Sequence, residues 1–262
     1  MPFATAADGT RLAYQVIGEG PPLLLVPGQA GDHRIWAGVR EAFAPRYRVV
    51  TFDHRGTGDS DKPEAPPYTT RGFAEDAIAV LDALGIARAH AYGVSMGGRI
   101  CQWLGVAHGG RVGALVLGCT TPGNAHGVRR PPHIDPVLLS GDRERLLPFL
   151  VSLEWARANA AFLDEHNARA LAHPVPPYAR QLHYQASEGH ELWDRLPEIT
   201  APTLVIHGSA DEVNMAANSP LLAARIPGAE LHMIEGARHI YYWDHGDEAY
   251  RVVDAFLARH PL

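Results

Sequence analysis

Short apolar runs that stop abruptly at glycine, proline or polar turns, each followed by a stretch of helical spacing, constrain this chain more than any other feature. Leu23-Leu24-Leu25-Val26 ends at Pro27-Gly28. A run without polar alternation belongs to a strand covered on both faces, as in a mostly parallel sheet with helices above and below it. The pattern recurs. Residues 46–52 read as a strand, and Thr69 or Thr70 caps a helix with the stripe Phe73, Ala77, Leu81 and Leu84 and the terminator Gly85. Strands follow at 89–92, 112–117, 203–207 and 230–234, with helices at 97–107 and near 216–224. Residues 11–17 add an earlier strand, 36–43 have helical spacing, and a final helix at 247–259 turns Val253, Phe256 and Leu257 inward. Such alternation predicts an α/β fold with helices on both faces of the sheet.

Between residues 121 and 197 the rhythm breaks. Gly- and Pro-rich turns open the interval, Leu138, Leu146, Leu150, Trp155, Phe162 and Leu171 recur at helical spacings, and Pro174, Pro176 and Pro177 cut it into pieces. The expectation is a core of residues 1–120 and 198–262 carrying a helical cap of residues 121–197. With 262 residues, 46% of them hydrophobic and 20% charged, the chain has enough apolar surface for a large core and is not disordered. The 23 basic residues against 29 acidic ones give a net charge of −6, with no long basic run, so nucleic acid is not an expected partner. No apolar stretch approaches the roughly 18 residues of a membrane span, and the first eight residues show no secretory pattern; a cytoplasmic location is expected.

The sharpest local signal is Gly93-Val94-Ser95-Met96-Gly97, a G-x-S-x-G pattern between an expected strand and an expected helix. A tight turn there exposes the serine, small flanking residues let backbones pass closely, and the helix start turns the Met96 N–H toward developing negative charge. Ser95 is the candidate nucleophile. A serine hydroxyl needs a base, and the base needs an acid that fixes its tautomer. Asp211 follows the 203–207 strand and His239 follows the 230–234 strand, so both occupy loops at the sheet edge that holds Ser95, in the chain order Ser, Asp, His. Asp244, His245 and Asp247 are nearby alternatives. A second donor for a carbonyl oxygen is expected in the loop after Val26, where Gln29 N–H would partner Met96 N–H. Cys101 and Cys119 are too few for a disulfide scaffold and read as structural thiols.

On these residues the chain resembles the α/β-hydrolase superfamily, in particular its small capped serine hydrolases: enol-lactonase-like enzymes, small esterases and cofactor-free haloperoxidase-like proteins. The resemblance runs from about Arg11 to Leu257. It implies Ser95, Asp211 and His239 as a triad, the amides of Gln29 and Met96 as an oxyanion hole, and a mainly structural role for the loop Asp53-His54-Arg55-Gly56-Thr57-Gly58-Asp59-Ser60. One departure is Pro27-Gly28, where many relatives carry His-Gly. The implied reaction is hydrolysis of a small-molecule ester or lactone through an acyl-enzyme, with no metal or organic cofactor. C–C bond hydrolysis or perhydrolysis on the same triad, or a receptor with a silent triad, are the alternatives. An enol-lactonase-like substrate would place its carboxylate near Arg129, Arg130 and His133.

Overall fold

Residues 1–65 and 68–262 are described by the computed structural model. The strands are β1 (Phe3–Thr5), β2 (Arg11–Ile17), β3 (Pro22–Val26), β4 (Arg48–Phe52), β5 (Ala89–Val94), β6 (Val112–Gly118), β7 (Thr203–Gly208) and β8 (Glu230–Ile234). They form one eight-stranded sheet in the order β1-β2-β4-β3-β5-β6-β7-β8. From β4 to β8 all pairings are parallel, while β2 runs antiparallel to both β1 and β4.

The helices are α1 (Val39–Phe43), α2 (Thr70–Ala83), α3 (Met96–Ala107), α4 (Asp135–Ser140), α5 (Arg143–Leu150), α6 (Leu153–Ala158), α7 (Ala160–Ala172), α8 (Pro177–Glu188), α9 (Asn218–Arg225), α10 (Tyr241–Asp244) and α11 (Gly246–Ala258). The missing alternation in β3 has a direct cause. Leu24 and Val26 join a core under α2 and α3, Leu23 and Leu25 join one under α11, and all four are fully buried. Burying each such side chain contributes about 1.5 to 3 kcal/mol. Val253, Phe256 and Leu257 of α11 are buried as expected.

The stretch at 36–43 is not one helix. A 3-10 turn at His33–Trp36 and the short α1 are separated by Gly38 at φ 82°, outside helical geometry. Strand β1, which has one inward residue, Ala4, was not expected from the sequence pattern. Between β6 and β7 the chain inserts helices α4 to α8, closed at the base by an antiparallel bridge between Gly123 and Glu191. Pro176 and Pro177 end the break after α7 by starting α8. Among the described residues no helix is long and apolar enough to cross a membrane.

Candidate active site

Strand β5 enters α3 through a single residue. Ser95 sits at φ 57° and ψ −122°, a conformation that costs a non-glycine residue on the order of 1 to 3 kcal/mol. Its N–H donates to the Gly118 carbonyl at 2.9 Å, and its own carbonyl accepts from Thr120 Oγ1 at 2.8 Å. The flanking glycines answer to close approach: a Cβ on Gly93 would collide with the Gly97 carbonyl oxygen, and one on Gly97 with the Val26 carbonyl oxygen. Ala30, Ser95 and Cys119 are the non-glycine residues at positive φ among the described residues, and all three line one cavity of about 250 Å³. Backbone strain is concentrated where a ligand would bind.

His239 lines the same cavity, with Asp211 buried behind it. His239 Nδ1 donates to Asp211 Oδ2 at 2.8 Å, and the same oxygen accepts from His207 Nε2 at 2.8 Å. Oδ1 accepts the N–H groups of Val213 at 2.8 Å and Asn214 at 3.1 Å. Burial alone would raise the Asp211 pKa, but the His239 charge and the bonds from His207 and His239 outweigh it and hold the carboxyl well below the usual range. An ionised carboxylate only accepts, so the proton in the His239–Asp211 bond sits on Nδ1. By the same logic His207 donates from Nε2, which also faces the Asn214 carbonyl at 2.8 Å, while its Nδ1 is hydrogen-bonded with the Ser219 hydroxyl at 2.5 Å. Ser95 Oγ makes no hydrogen bond to His239; its protein partner is Asn214 Nδ2 at 3.4 Å.

The loop after β3 comes against the nucleophile: a Cβ on Gly28 would lie 3.8 Å from Ser95 Oγ. His54 Nε2 donates to the Pro27 carbonyl at 2.9 Å, and His183 Nδ1 accepts the Ala30 N–H at 3.2 Å while its Nε2 donates to the Arg55 carbonyl at 2.8 Å. Burial lowers the His54 pKa to about 3 and that of His183 to about 4, which keeps both rings neutral in these roles. The N–H groups of Gln29 and Met96 donate to no protein acceptor among the described residues. Helix α5 clasps the loop of His239, since the carbonyls of Phe149 and Leu150 accept the N–H groups of His239 at 3.4 Å and Ile240 at 2.7 Å.

A family model described as the alpha/beta hydrolase fold matches residues 21–246. The chain belongs to the α/β-hydrolase fold family. RutD of Azorhizobium caulinodans, provisionally named a carbamate hydrolase, is 34% identical over 92% of each chain. Est816, a solved structure described as an N-acyl homoserine lactone degrading enzyme, is 32% identical with a TM-score of 0.83, over 98% of this chain and 100% of that one. The enol-lactonase from Burkholderia xenovorans LB400 is 27% identical with a TM-score of 0.85, again over 98% and 100%.

In this α/β-hydrolase the alternative acid and base candidates are engaged elsewhere. Asp244 accepts the Ser152 N–H at 3.1 Å and pairs with His245 at 3.0 Å. Asp247 lines a separate cavity of about 320 Å³ walled by Trp155, Phe162, Tyr242 and Trp243. The three expected substrate-charge residues are separated. Arg129 and His133 are exposed and do not line the Ser95 cavity. Arg130 lines it but is bonded to Asp135 at 2.6 Å and Glu188 at 2.5 Å, so its charge is already answered. Cys101 and Cys119 are buried free thiols whose pKa values burial pushes up.

Asp32, His33 and Asp53 come close enough to hold a metal ion, but their oxygens are committed. Arg34 takes both Asp32 oxygens, and Asp53 accepts from His33 and from the Asp59 N–H. The arrangement matches the structural role expected of the Asp53 loop.

Sequence reasoning missed Asn214, His207 and Arg99. Asn214 Nδ2 donates to the Cys119 carbonyl at 2.6 Å as well as toward Ser95, and its Oδ1 accepts from buried Arg99 at 3.2 Å. Arg99 also donates to the Ser187 carbonyl and hydroxyl, at 2.5 and 2.7 Å. The one available signal was position, Asn214 lying three residues beyond Asp211 in the acid loop.

Proposed function

We propose that this protein is a serine hydrolase that cleaves a small carboxylic ester or lactone through an acyl-enzyme. The observation that carries the reading is the bond from His239 Nδ1 to ionised Asp211, which leaves a basic Nε2 on a ring lining the same cavity as Ser95. Rotation about the Ser95 Cα–Cβ bond exchanges the long contact with Asn214 for one with Nε2. Nε2 then takes the hydroxyl proton as Oγ attacks the substrate carbonyl. The N–H groups of Gln29 and Met96 hold the resulting oxyanion. Collapse breaks the bond to the alkoxide, which leaves with the proton from Nε2. Water next gives a proton to Nε2 and attacks the acyl carbon, and Ser95 departs by recovering that proton.

The fold family and the likeness to Est816 and the Burkholderia enol-lactonase support the ester and lactone classes. A carbamate carbonyl would pass through the same steps, and the similarity to RutD makes carbamates the second class to assay. A fluorophosphonate probe tests the reading: it should label the parent at Ser95 and leave Ser95→Ala unlabelled. Equal labelling of both proteins would overturn it.

A further inference from the structure

Arg143 and Arg180 line the Ser95 cavity, and neither has a carboxylate partner within ion-pair distance among the described residues. Arg143 Nη1 donates to Asn167 Oδ1 at 3.1 Å, and Arg180 Nη2 reaches only the Val175 carbonyl at 3.4 Å. The nearby acids do not answer them. Asp32 is taken by Arg34, Asp142 caps α5 through the Arg145 N–H at 3.1 Å, and Glu144, at the outer cavity that both arginines share, forms no ion pair. Gly141 belongs to the same cavity wall; it ends α4 in the left-handed region at φ 67°, with the Arg180 guanidinium packed against it.

We propose that Arg143 and Arg180 form a carboxylate-binding subsite, and that the substrate is a carboxylate-bearing ester or lactone. The proposal rests on the serine hydrolase reading for its reaction, but the binding it asserts is independent of turnover. Two like charges lining the same cavities repel each other, and an anion bound there relieves that repulsion. Arg143 is exposed as a residue, yet the protein around its guanidinium lowers its pKa; Asp32 opposes that shift, and the charges of Arg180 and Arg34 add to it. A planar guanidinium offers a fork of donors matched to a carboxylate, and each charge-assisted pair is stronger than a neutral hydrogen bond. Arg130, already bonded to Asp135 and Glu188, lacks that free fork.

Two matched ester pairs test the subsite. Monomethyl glutarate against methyl valerate places the carboxylate on the acyl side, and acetoxyacetate against ethyl acetate places it on the alcohol side. At low salt the parent should prefer the anionic member of at least one pair, and the ratio of the two kcat/KM values should fall about 10- to 100-fold in R143Q/R180Q. Calorimetry of glutarate binding to Ser95→Ala, with and without the two arginine changes, supplies a readout without catalysis. Esters hydrolysed with both ratios unmoved would overturn the subsite and leave the hydrolase reading standing. Arginine-dependent glutarate binding by a parent that hydrolyses no ester would do the reverse. Displacement of glutarate by inorganic phosphate at lower concentration than glutarate itself requires would overturn the carboxylate assignment in favour of a general anion site.

Discussion

Asp211 receives four hydrogen bonds and has no exposed side-chain surface, whereas α5 and α7, earlier in the chain and before β7, bury none of their residues fully. At the carboxyl edge of the sheet Asp211 and the loops of Gln29 and His239 are each held by several partners, so one position is strongly favoured. Across α4 to α7 the contacts are fewer, and Leu153 and Leu171 stand 47% and 74% exposed. The contrast separates the two demands on a hydrolase. Catalysis needs fixed geometry, while loosely packed surface tolerates change.

The strongest way to break this comparison is to remove the fixed groups. Asp211→Asn should lower kcat by about 10⁴, the loss known for the orienting acid of a serine protease, and His239→Ala by a comparable factor. The double variant should lose far less than the product of the two, because the groups act as a unit. Single-turnover kinetics on an ester would show it, and near-parental rates in either folded variant would remove that residue from the mechanism.

Acid should loosen the same edge. His54 and His183 titrate at about 3 and about 4 when folded, against an unfolded value of 6.5. The unfolded chain therefore binds more protons below that value, and the stability these rings contribute is present above pH 6.5 and lost as pH falls toward 4. By linkage each costs about 2 kcal/mol at about pH 5. The urea midpoint should drop between neutral pH and about pH 5, and His183→Gln should flatten that dependence.

Asn214→Ala comes next, with an expected fall of about 10- to 100-fold in the fluorophosphonate labelling rate, because it removes the donor to the Cys119 carbonyl and to Ser95 Oγ and the acceptor for Arg99 Nη2. A labelling rate equal to the parent would reduce Asn214 to a bystander. Smallest of all, Leu171→Ala should shift stability by no more than about 0.5 kcal/mol. A larger loss in denaturant unfolding would mean that α7 is covered in solution.

The parts readable from sequence were those with local physical signatures. Leu23 to Val26 announced a strand buried on both faces, and Gly93 with Gly97 announced a turn whose backbones nearly touch. Asp211 and His239 were legible because each follows a recognisable strand. His207 was not, since as the end of β7 it reads as one more strand residue, and nothing local says its ring faces Asp211. The cavity arginines were harder to place: which of them reach the cavity depends on how α5 and α8 pack, so the sequence singled out Arg129 and Arg130, of which Arg130 lines the cavity with Arg143 and Arg180 and Arg129 does not.

His183 belongs to α8 but holds the loop of Gln29 through Ala30, and α5 holds the loop of His239 through its terminal carbonyls. Only α6 and α7 lie between those two attachments. A protein engineer recombining this scaffold therefore has a natural cassette at residues 153–172. Grafts confined to it would leave the lining of the Ser95 cavity in place. Grafts that also replace α8 would have to bring their own histidine, or the loop of Gln29 would lose its tether.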